Sequence, residues 1–380
     1  MSIATRSVSL NTHGELAQSC GGITVAKQHA KKMRKDENMV TLSEQDMKKI
    51  YSEFREVRKR HIEKDFAEDA LKSPNKSKNR YGNVIPFEKT AVKLKNDGHK
   101  GSEYINASHV KGKASKLGVE DQCYICCQAP LPKTFGDFWR MVWEQNASVI
   151  LMLTKTVERG NRVKAHVYWP EEGKTQTYGK MRVQCTSVKK RGDLIIVRKF
   201  LIYYQEDLSA FSEDALSSSE SEDEEFKLTE TVPITAHEAT QIQFVGWPDF
   251  GVPTDTNVIY SLIRELDIRR EQKRPVVCHC SAGIGRTGTF VAIHMLVHEA
   301  QRGAKIDVKD TVLHLRSQRV GMVQNKDQYN FIYVALSDIL KQTERRNRAR
   351  RRQLIRSASS GCYLASVTQS LPGKNHEFDE

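Results

Sequence analysis

The sequence predicts an α/β fold in which a single large domain holds a mixed β-sheet flanked by α-helices. Most apolar residues lie between about Met47 and Leu340, which places one core there. Short segments enriched in β-branched and aromatic residues fill the middle of this span, and apolar residues at helical spacing lie between and around them. A chain of 380 residues fits two average domains or one large domain with disordered ends, and this distribution favours the second.

The first predicted element is an amphipathic helix. Ser43 and Asp46 have the spacing of a helix cap, and apolar side chains then recur at Met47, Ile50, Tyr51, Phe54 and Val57. The strand-like segments that follow are YINASHV, QCYICC, ASVILMLT, KAHVYW, YGKMRVQCTSV, DLIIVRKFLIYY and TQIQFVGW. Helical spacing is also found at 134–145, 288–302 and 327–340. We predict a domain at 43–342 between a disordered arm at 1–42 and a basic, serine-containing disordered tail at 343–380.

An acidic, low-complexity segment interrupts the strands. Ser212 to Glu225 reads SEDALSSSESEDEE, and it predicts a surface loop inserted at about 209–227. The serines among these acidic residues are candidate kinase sites, and a solvated spacer is the simpler interpretation of the segment. The candidates are Ser217, Ser218, Ser219 and Ser221.

The formal net charge of +13 suits a nucleic acid, an anionic membrane or an acidic protein, and charge alone does not choose among them. Much of the excess comes from Arg345 to Arg352 (RRNRARRR). This run is compatible with a nuclear-import signal, a nucleic-acid patch, a membrane-surface anchor or a solvated tail. Ser357 and Ser359 follow it as candidate sites for a basophilic kinase. We predict no stable nucleic-acid or membrane partner.

Cysteine usage predicts a reducing compartment. The eight cysteines show no regular disulfide framework, the first residues lack the apolar stretch of a secretory signal, and no apolar run approaches the length of a membrane span. We therefore expect a cytoplasmic protein, with the nucleus open through Arg345 to Arg352. Cys123, Cys126 and Cys127 resemble half a metal site, but no second cysteine pair or paired histidines were found to complete it. The sequence thus predicts neither a metal nor a cofactor.

The chemistry is concentrated at VVCHCSAGIGRTG, residues 276–288. A short apolar strand runs into a glycine-bearing loop and then into a helix that starts near Thr287. In such an arrangement the loop N–H groups converge as a nest, and the helix adds the positive end of its dipole, so a tetrahedral dianion can bind. The flexible positions are Gly283, Gly285 and Gly288.

Within this loop, Cys280 is the candidate nucleophile and Arg286 the candidate phosphate ligand. The positive field favours the thiolate, the planar guanidinium can grip two phosphate oxygens, and attack on phosphorus would form a cysteinyl-phosphate. His279 and the hydroxyl of Thr287 are candidates for tuning these steps. A buried, inert Cys280 is the alternative, which the strand–loop–helix context disfavours. Cys278 is predicted to point away from Cys280 and to serve packing.

HCSAGIGRTG resembles the signature of the classical protein tyrosine phosphatases of the non-receptor type, and further blocks extend this resemblance across roughly Ser43 to Leu340. NRYGNVIPFEKTAVKL is similar to the family's phosphotyrosine-recognition segment, QAPLPKTFGDFWRMVWE to its helix region, and WPDFGVP to its mobile acid loop. The resemblance implies a highly twisted mixed sheet and a metal-free, two-step hydrolysis of phosphotyrosine in proteins.

The resemblance also implies roles for individual residues. Asp249 is the general acid and base, and Gln324 positions the water, with Gln328 nearby. Tyr81 lines the entrance and sets a depth that suits phosphotyrosine, Asn83 holds the substrate backbone, and Val84 and Phe250 add apolar walls. Glu158 orients Arg286 and Lys164 approaches Asp249, although a solvated charged hairpin stays open for this pair. The loop residues expected to contact the phosphate are Ser281, Ala282, Gly283, Ile284, Gly285 and Arg286.

Three functional classes stay open on the sequence. The first is an active tyrosine phosphatase, the second a phosphotyrosine-binding pseudophosphatase or scaffold, and the third a dual-specificity phosphatase with a shallow pocket. The presence of Cys280, Arg286, Asp249 and Gln324 together favours activity. Tyr81 argues against the shallow pocket.

Overall fold

The computed structural model describes residues 42–62, 65–113, 123–204, 236–248, 251–271 and 273–367. The α-helices are α1 (Glu44–Lys59), α2 (Phe135–Glu144), α3 (Thr256–Arg269), α4 (Arg286–Gln301), α5 (Val308–Arg316) and α6 (Lys326–Val367). The strands are β1 (Ala91–Lys93), β2 (Tyr104–Lys111), β3 (Cys123–Cys127), β4 (Val149–Met152), β5 (Val157–Glu158), β6 (Arg162–Val163), β7 (Thr175–Tyr178), β8 (Met181–Arg191), β9 (Ile195–Tyr204), β10 (His237–Phe244) and β11 (Val276–His279).

Nine of these strands form one mixed sheet in the order β1-β2-β3-β11-β4-β10-β9-β8-β7. The central strands β3, β11, β4 and β10 are parallel, and the outer pairs are antiparallel. The predicted α/β fold with a mixed sheet is confirmed. Because parallel strands align their carboxyl ends, the segments that follow β3, β11, β4 and β10 meet at one edge of the sheet.

The sheet separates two apolar cores. Alternation along β11 sends Val276 and Cys278 into one core and Val277 into the other. The first core contains apolar residues of α1, α3, α4, α5 and α6, and the second contains those of α2 and of the long hairpin strands. Helix α4 is buried along most of its length, so its register relative to β11 is fixed on several sides.

Side-chain caps begin three of the helices. Ser43 accepts a hydrogen bond from the N–H of Asp46 at 3.2 Å, which confirms the cap predicted for α1. Asp255 and Asp307 cap α3 and α5 in the same manner. Neither helix was predicted from the sequence, although each has an N-cap aspartate and apolar residues at helical spacing.

Two predicted strands differ from the structure. KAHVYW, residues 164–169, is irregular, because its large side chains are anchored individually instead of being paired in a sheet; Tyr168 is fully buried. YGKMRVQCTSV is not one strand, since Gly179 adopts a φ of 62° between β7 and β8 and allows the chain to turn.

The carboxyl end also differs from the prediction. The helical pattern ends near Leu340 in the sequence, and a disordered tail was expected from residue 343, whereas α6 continues to Val367. Arginine, a good helix former, is the commonest residue of this continuation, and its helix propensity does not depend on an apolar stripe. Exposed Leu354 and Ile355 lie on this extension.

The acidic insertion lies between paired strands. β9 and β10 are antiparallel neighbours, with His237 opposite Ile202, and residues 205–235 connect them. Those residues, with the four candidate phosphoserine positions, lie outside the described part of the chain, as do residues 1–41 of the predicted arm.

Candidate active site

Cys280 directly follows β11 at the carboxyl edge of the parallel strands. Its side chain is buried, with 5% of the residue exposed. The loop that follows leads into α4 at Arg286, one residue before the predicted helix start. Sequence order and sheet topology together bring a thiol, a run of backbone N–H groups and a helix N-terminus to one place, an arrangement that can hold an anion.

Buried Arg319 fixes the backbone of the loop that follows Cys280. Its guanidinium donates to the carbonyl oxygens of Gly283 at 3.0 Å and Ala282 at 3.1 Å, and also to Asn106 and Ser108 of β2. Because these carbonyl oxygens are held by Arg319, the loop cannot turn them towards a bound anion. No pattern in the sequence around Arg319 indicates these contacts.

Gly283 is required where the loop passes β3. It has a φ of 71°, and a Cβ at this position would lie 1.9 Å from the carbonyl oxygen of Cys127. Gly288 is similarly enclosed, since its Cβ would lie 2.5 Å from the backbone nitrogen of Val323. The loop therefore packs backbone against backbone, which only glycine permits.

The pKa of the Cys280 thiol is lowered from its ordinary value. Burial on its own raises the pKa, and this is outweighed by hydrogen bonds from the hydroxyl and N–H of Thr287, the charge of Arg286 and the N–H of Gly283. The Thr287 hydroxyl is buried and has no nitrogen or oxygen partner within the described residues. This hydroxyl acts on two thiols: it lowers the pKa of Cys280 and opposes the rise in the pKa of Cys278.

Arg286 is held by groups from three segments. Its Nη1 contacts the carboxylate of Glu158 and donates to Thr154 Oγ1 at 3.0 Å, and its Nη2 donates to the carbonyl oxygen of Pro248 at 2.9 Å. The Glu158 side chain is fully buried, and Lys164 Nζ lies 4.0 Å from Glu158 Oε2. The hairpin β5–β6 thus carries Glu158 inward to Arg286, which differs from a solvated charged hairpin.

His279 is buried on the opposite face from Cys280. Its Nδ1 lies 3.1 Å from the carbonyl oxygen of Cys280, and its Nε2 lies 2.7 Å from the hydroxyl of Tyr168. Burial lowers the pKa of His279 to about 4, so the imidazole is neutral at neutral pH. A neutral ring then donates from Nδ1 to the carbonyl oxygen and accepts at Nε2 from Tyr168.

Tyr81 lies at the rim of the loop. Its hydroxyl is 2.9 Å from Ser281 Oγ, which in turn donates to the carbonyl oxygen of Lys164 at 2.8 Å. Tyr81 and Asn83 are exposed, whereas Val84 is buried in the same core cluster as Cys280 and Ile284. Tyr81 is therefore available to a ligand that enters from solvent.

Gln324 and Gln328 flank the other side of the loop. The N–H of Gln324 donates to Gln328 Oε1 at 2.9 Å, and a Cβ on Gly285 would lie 3.0 Å from the side chains of both glutamines. Gln324 is exposed and Gln328 is buried. The structure thus brings both amides next to Gly285.

Asp249 and Phe250 lie outside the described residues. The residues on either side are described: Pro248 is bonded to Arg286 through its carbonyl oxygen, and buried Trp247 donates from Nε1 to the carbonyl oxygen of Gly251 at 3.3 Å. Pro248 is therefore anchored to Arg286, and Trp247 to Gly251.

The predicted orientation of Cys278 is wrong. Cys278 and Cys280 belong to the same core cluster, because residues two apart in an extended chain point to the same face. Burial raises the pKa of Cys278 well above its usual value, in contrast to Cys280. Packing remains the interpretation for Cys278.

Three contacting residues had not been identified from the sequence as part of the site. Tyr168 lies in a segment interpreted as a strand, Thr154 follows β4, and Gln241 lies within β10, all without a recognisable motif. Tyr168 contacts His279 across 111 residues of sequence, and Thr154 contacts Arg286 across 132. Gln241 is linked to the site through Tyr168. Single-sequence patterns carry no signal for such contacts.

Comparison with known proteins defines the class. The family model for protein-tyrosine phosphatase matches residues 75–338, and the chain belongs to this family. It is 37% identical over 270 residues to human receptor-type tyrosine-protein phosphatase eta, covering 70% of this chain and 18% of that protein. It is 35% identical over 269 residues to mouse tyrosine-protein phosphatase non-receptor type 4, covering 70% of this chain and 26% of that protein.

A third relative is tyrosine-protein phosphatase 3 of Dictyostelium discoideum, 36% identical over 329 residues, with 81% of this chain and 30% of that protein covered. The chain thus spans less than a third of the length of these relatives, which include both receptor and non-receptor types. Among the described residues, no helix combines the length and apolar character needed to cross a membrane.

Proposed function

We propose that this chain is an active protein tyrosine phosphatase that hydrolyses phosphotyrosine in proteins through a cysteinyl-phosphate. The observation that carries the proposal is the meeting of Cys280, with its lowered pKa, and Arg286 in one loop between β11 and α4. Family membership supports the same activity.

In the first step, the Cys280 thiolate attacks phosphorus, and the bond from phosphorus to the tyrosine oxygen breaks. The loop N–H groups and the guanidinium of Arg286 bind the phosphoryl oxygens, and preorganised donors of this kind stabilise the transition state. Asp249 donates a proton to the leaving phenolate oxygen, a contribution typically of about 10²–10⁴-fold. Glu158 and Thr154 keep Arg286 in position.

In the second step, water attacks phosphorus and the bond from phosphorus to sulfur breaks. Asp249, now ionised, accepts the water's proton, and Cys280 leaves as a thiolate. Gln324 orients the water with its amide, and Gln328 supports Gln324 through the 2.9 Å hydrogen bond to its backbone. Inorganic phosphate is the second product, and no metal is required for either step.

Selectivity for phosphotyrosine rests on the depth of the pocket between Tyr81 at the rim and the phosphate-binding loop. Tyr81 is 37% exposed and bonded to Ser281 at the loop rim, so an aromatic ring can stack against it while its phosphate reaches the loop. Phosphoserine is too short to gain both contacts. Asn83 is exposed beside this entrance and is available to the substrate backbone, and Val84 and Phe250 supply apolar walls.

The substrates we propose are phosphotyrosine-containing proteins, and the proposed location is the cytoplasm, with the non-receptor type of organisation. Arg345 to Arg352 form an exposed, strongly basic stretch of α6, which leaves nuclear import as a further proposal. Ser357 lies on the same helix, with its hydroxyl donating to the carbonyl oxygen of Leu354 at 2.9 Å. It is exposed to a kinase.

The test is turnover of matched phosphotyrosine and phosphoserine peptides by the full chain. We expect Cys280→Ser to abolish turnover, Asp249→Ala to slow it by about 10²–10⁴-fold while substrate still binds, and Cys123→Ser, a partly exposed cysteine of β3, to have little effect. Binding without turnover by the unmodified chain would identify a pseudophosphatase. Equal rates on both peptides would identify a dual-specificity enzyme.

A further inference from the structure

Asp267, His294 and His298 form a compact cluster on two adjacent helices. His294 and His298 are four residues apart on α4, so their side chains lie on the same face of that helix. Asp267 lies on α3. One ligand atom from each of the three residues lies within 4.8 Å of the others, and within the described residues this is the one group of three so arranged.

We propose that these three residues form a binding site for a single divalent transition-metal ion of the zinc class. Two imidazoles and one carboxylate are a ligand set that such ions prefer, and three protein ligands leave a position for water. The distances fit: Asp267 Oδ1 lies 3.0 Å from Nε2 of both His294 and His298. Ligand atoms this close need only small movements to surround one ion.

The surroundings of His294 resemble those of a metal-binding histidine. His294 is fully buried, and the hydroxyl of Tyr124 contacts its Nδ1, the ring nitrogen that faces away from Asp267. A partner at the second nitrogen fixes the orientation of a ligating imidazole. When Nε2 takes the metal, its proton is replaced by one on Nδ1, and the Tyr124 oxygen then accepts from that N–H.

The cluster is open enough for an ion to enter. The Asp267 side chain is 31% exposed and that of His298 is 15% exposed. Arg270 Nε lies 3.5 Å from Asp267 Oδ1 and is the one competing cation in the described ion pairs of Asp267. Its side chain is 26% exposed, so it can turn into solvent when a doubly charged ion replaces it.

The site joins α3 to the helix that begins at Arg286. Metal binding therefore favours the folded domain, since a ligand that binds only the native state stabilises it. The site uses none of the residues proposed for catalysis. If the metal-site proposal fails, the phosphatase proposal is unaffected. If the phosphatase proposal fails, the metal-site proposal is likewise unaffected.

The experiment uses the full chain carrying Cys280→Ser, so that the reactive thiolate does not compete for metal. Zn²⁺ is titrated by calorimetry, and Co²⁺ serves as a coloured probe. We expect one Zn²⁺ per chain, a higher thermal midpoint with Zn²⁺, and visible cobalt bands without the sulfur-to-cobalt charge-transfer band that thiolate ligands produce.

His298→Asn should weaken Zn²⁺ binding at least about tenfold and remove the thermal shift, since loss of a residue that merely orients a metal ligand already costs about 10- to 100-fold. Asp267→Asn, which keeps the side-chain volume, is the second variant should His298→Asn not fold. His99→Asn is the control, because His99 is an exposed histidine whose ion pair in the described part of the chain is with a single carboxylate, that of Asp97. Unchanged affinity in His298→Asn and Asp267→Asn, or a thiolate band, would overturn the site.

Discussion

Arg198 Nη1 donates to Gln241 Oε1 at 2.7 Å, and this bond sets the direction of a buried chain of hydrogen bonds. Because the Gln241 oxygen is occupied, its Nε2 donates to the hydroxyl of Tyr168 at 2.9 Å. That hydroxyl must then donate to His279 Nε2, which leaves the Nδ1 proton to hold the carbonyl of Cys280. Arg198 thereby fixes one tautomer of His279.

Replacing Tyr168 with phenylalanine should break this chain. Two buried groups, Gln241 Nε2 and His279 Nε2, lose their partner, and each such loss costs about 1–3 kcal/mol. We expect urea unfolding to show a loss of about 2–6 kcal/mol, and ¹⁵N NMR of the imidazole to show a mixture of tautomers. Tyr178→Phe is the control, because among the described residues that hydroxyl donates to Gln176 near the protein surface and takes no part in the hydrogen-bond network of His279. Equal losses of stability in the two variants would contradict the proposed network.

The low pKa of His279, about 4, predicts acid sensitivity. The folded state resists protonation while the unfolded histidine, with a pKa of about 6.5, takes up a proton. Stability is therefore full above about pH 6.5 and is lost as the pH falls towards 4. His279 should account for about 2 kcal/mol of the loss between pH 7 and pH 5. Between pH 7 and pH 5, a His279→Gln variant should lose about 2 kcal/mol less unfolding free energy than the unmodified protein. An identical loss in the two proteins would argue against His279 as the source of the acid sensitivity.

Thr287 should hold the Cys280 thiolate through its hydroxyl. A hydrogen bond to a charged group contributes about 1.5–3 kcal/mol, so Thr287→Val should raise the pH midpoint of iodoacetamide alkylation by about 1 to 2. The control is Thr289→Val on the same helix, whose hydroxyl donates to the carbonyl oxygen of Gly285 instead. An unchanged midpoint in Thr287→Val would assign the lowered pKa of Cys280 to other groups.

Glu158 should govern how Arg286 binds an oxyanion. Glu158→Gln keeps the size of the side chain but removes the charge that faces the guanidinium. We expect orthovanadate to bind at least about tenfold more weakly, since charge-assisted hydrogen bonds are about twice as strong as neutral ones. Glu88→Gln, at an exposed ion pair with Lys93, should leave vanadate binding unchanged. Equal vanadate affinities in the unmodified protein, Glu158→Gln and Glu88→Gln would mean that the position of Arg286 does not depend on the charge of Glu158.

Sequence patterns predicted the parts of this molecule that depend on local order. The strand–loop–helix around Cys280 could be predicted because its residues are contiguous in the sequence. The cap at Ser43 could be predicted because Asp46 is only three residues away. The contacts of Arg319 could not be predicted, since it bonds to Gly283, 36 residues away in sequence, and to Asn106, 213 residues away. Long-range contacts of this kind depend on topology, which one sequence does not encode in any short pattern.

The tail shows the opposite case, in which composition misled. Arg345 to Arg352 has the charge of a disordered segment, yet α6 continues through it. Intrinsic helix propensity acts residue by residue and needs no apolar face once the preceding turns are formed. The amphipathic spacing that ends near Leu340 therefore marked the end of core packing and not the end of the helix.

Gly283 tests whether the loop must approach β3 closely. Gly283→Ala places a methyl group 1.9 Å from the carbonyl oxygen of Cys127 at a φ of 71°, so the loop has to move away from the strand. Gly192→Ala is the matched control, because its φ of 63° is almost the same and a Cβ there meets open space. Both variants bear the backbone strain, about 1–2 kcal/mol, and only Gly283→Ala bears the collision.

We expect Gly192→Ala to retain vanadate binding and turnover with a small loss of stability. Gly283→Ala should lose vanadate binding by at least about a hundredfold, because a loop displaced by 1 Å no longer aims its N–H groups at one point. If both variants bound vanadate equally, the close packing against Cys127 would be incidental. The anion nest would then depend on Arg319 and α4 alone.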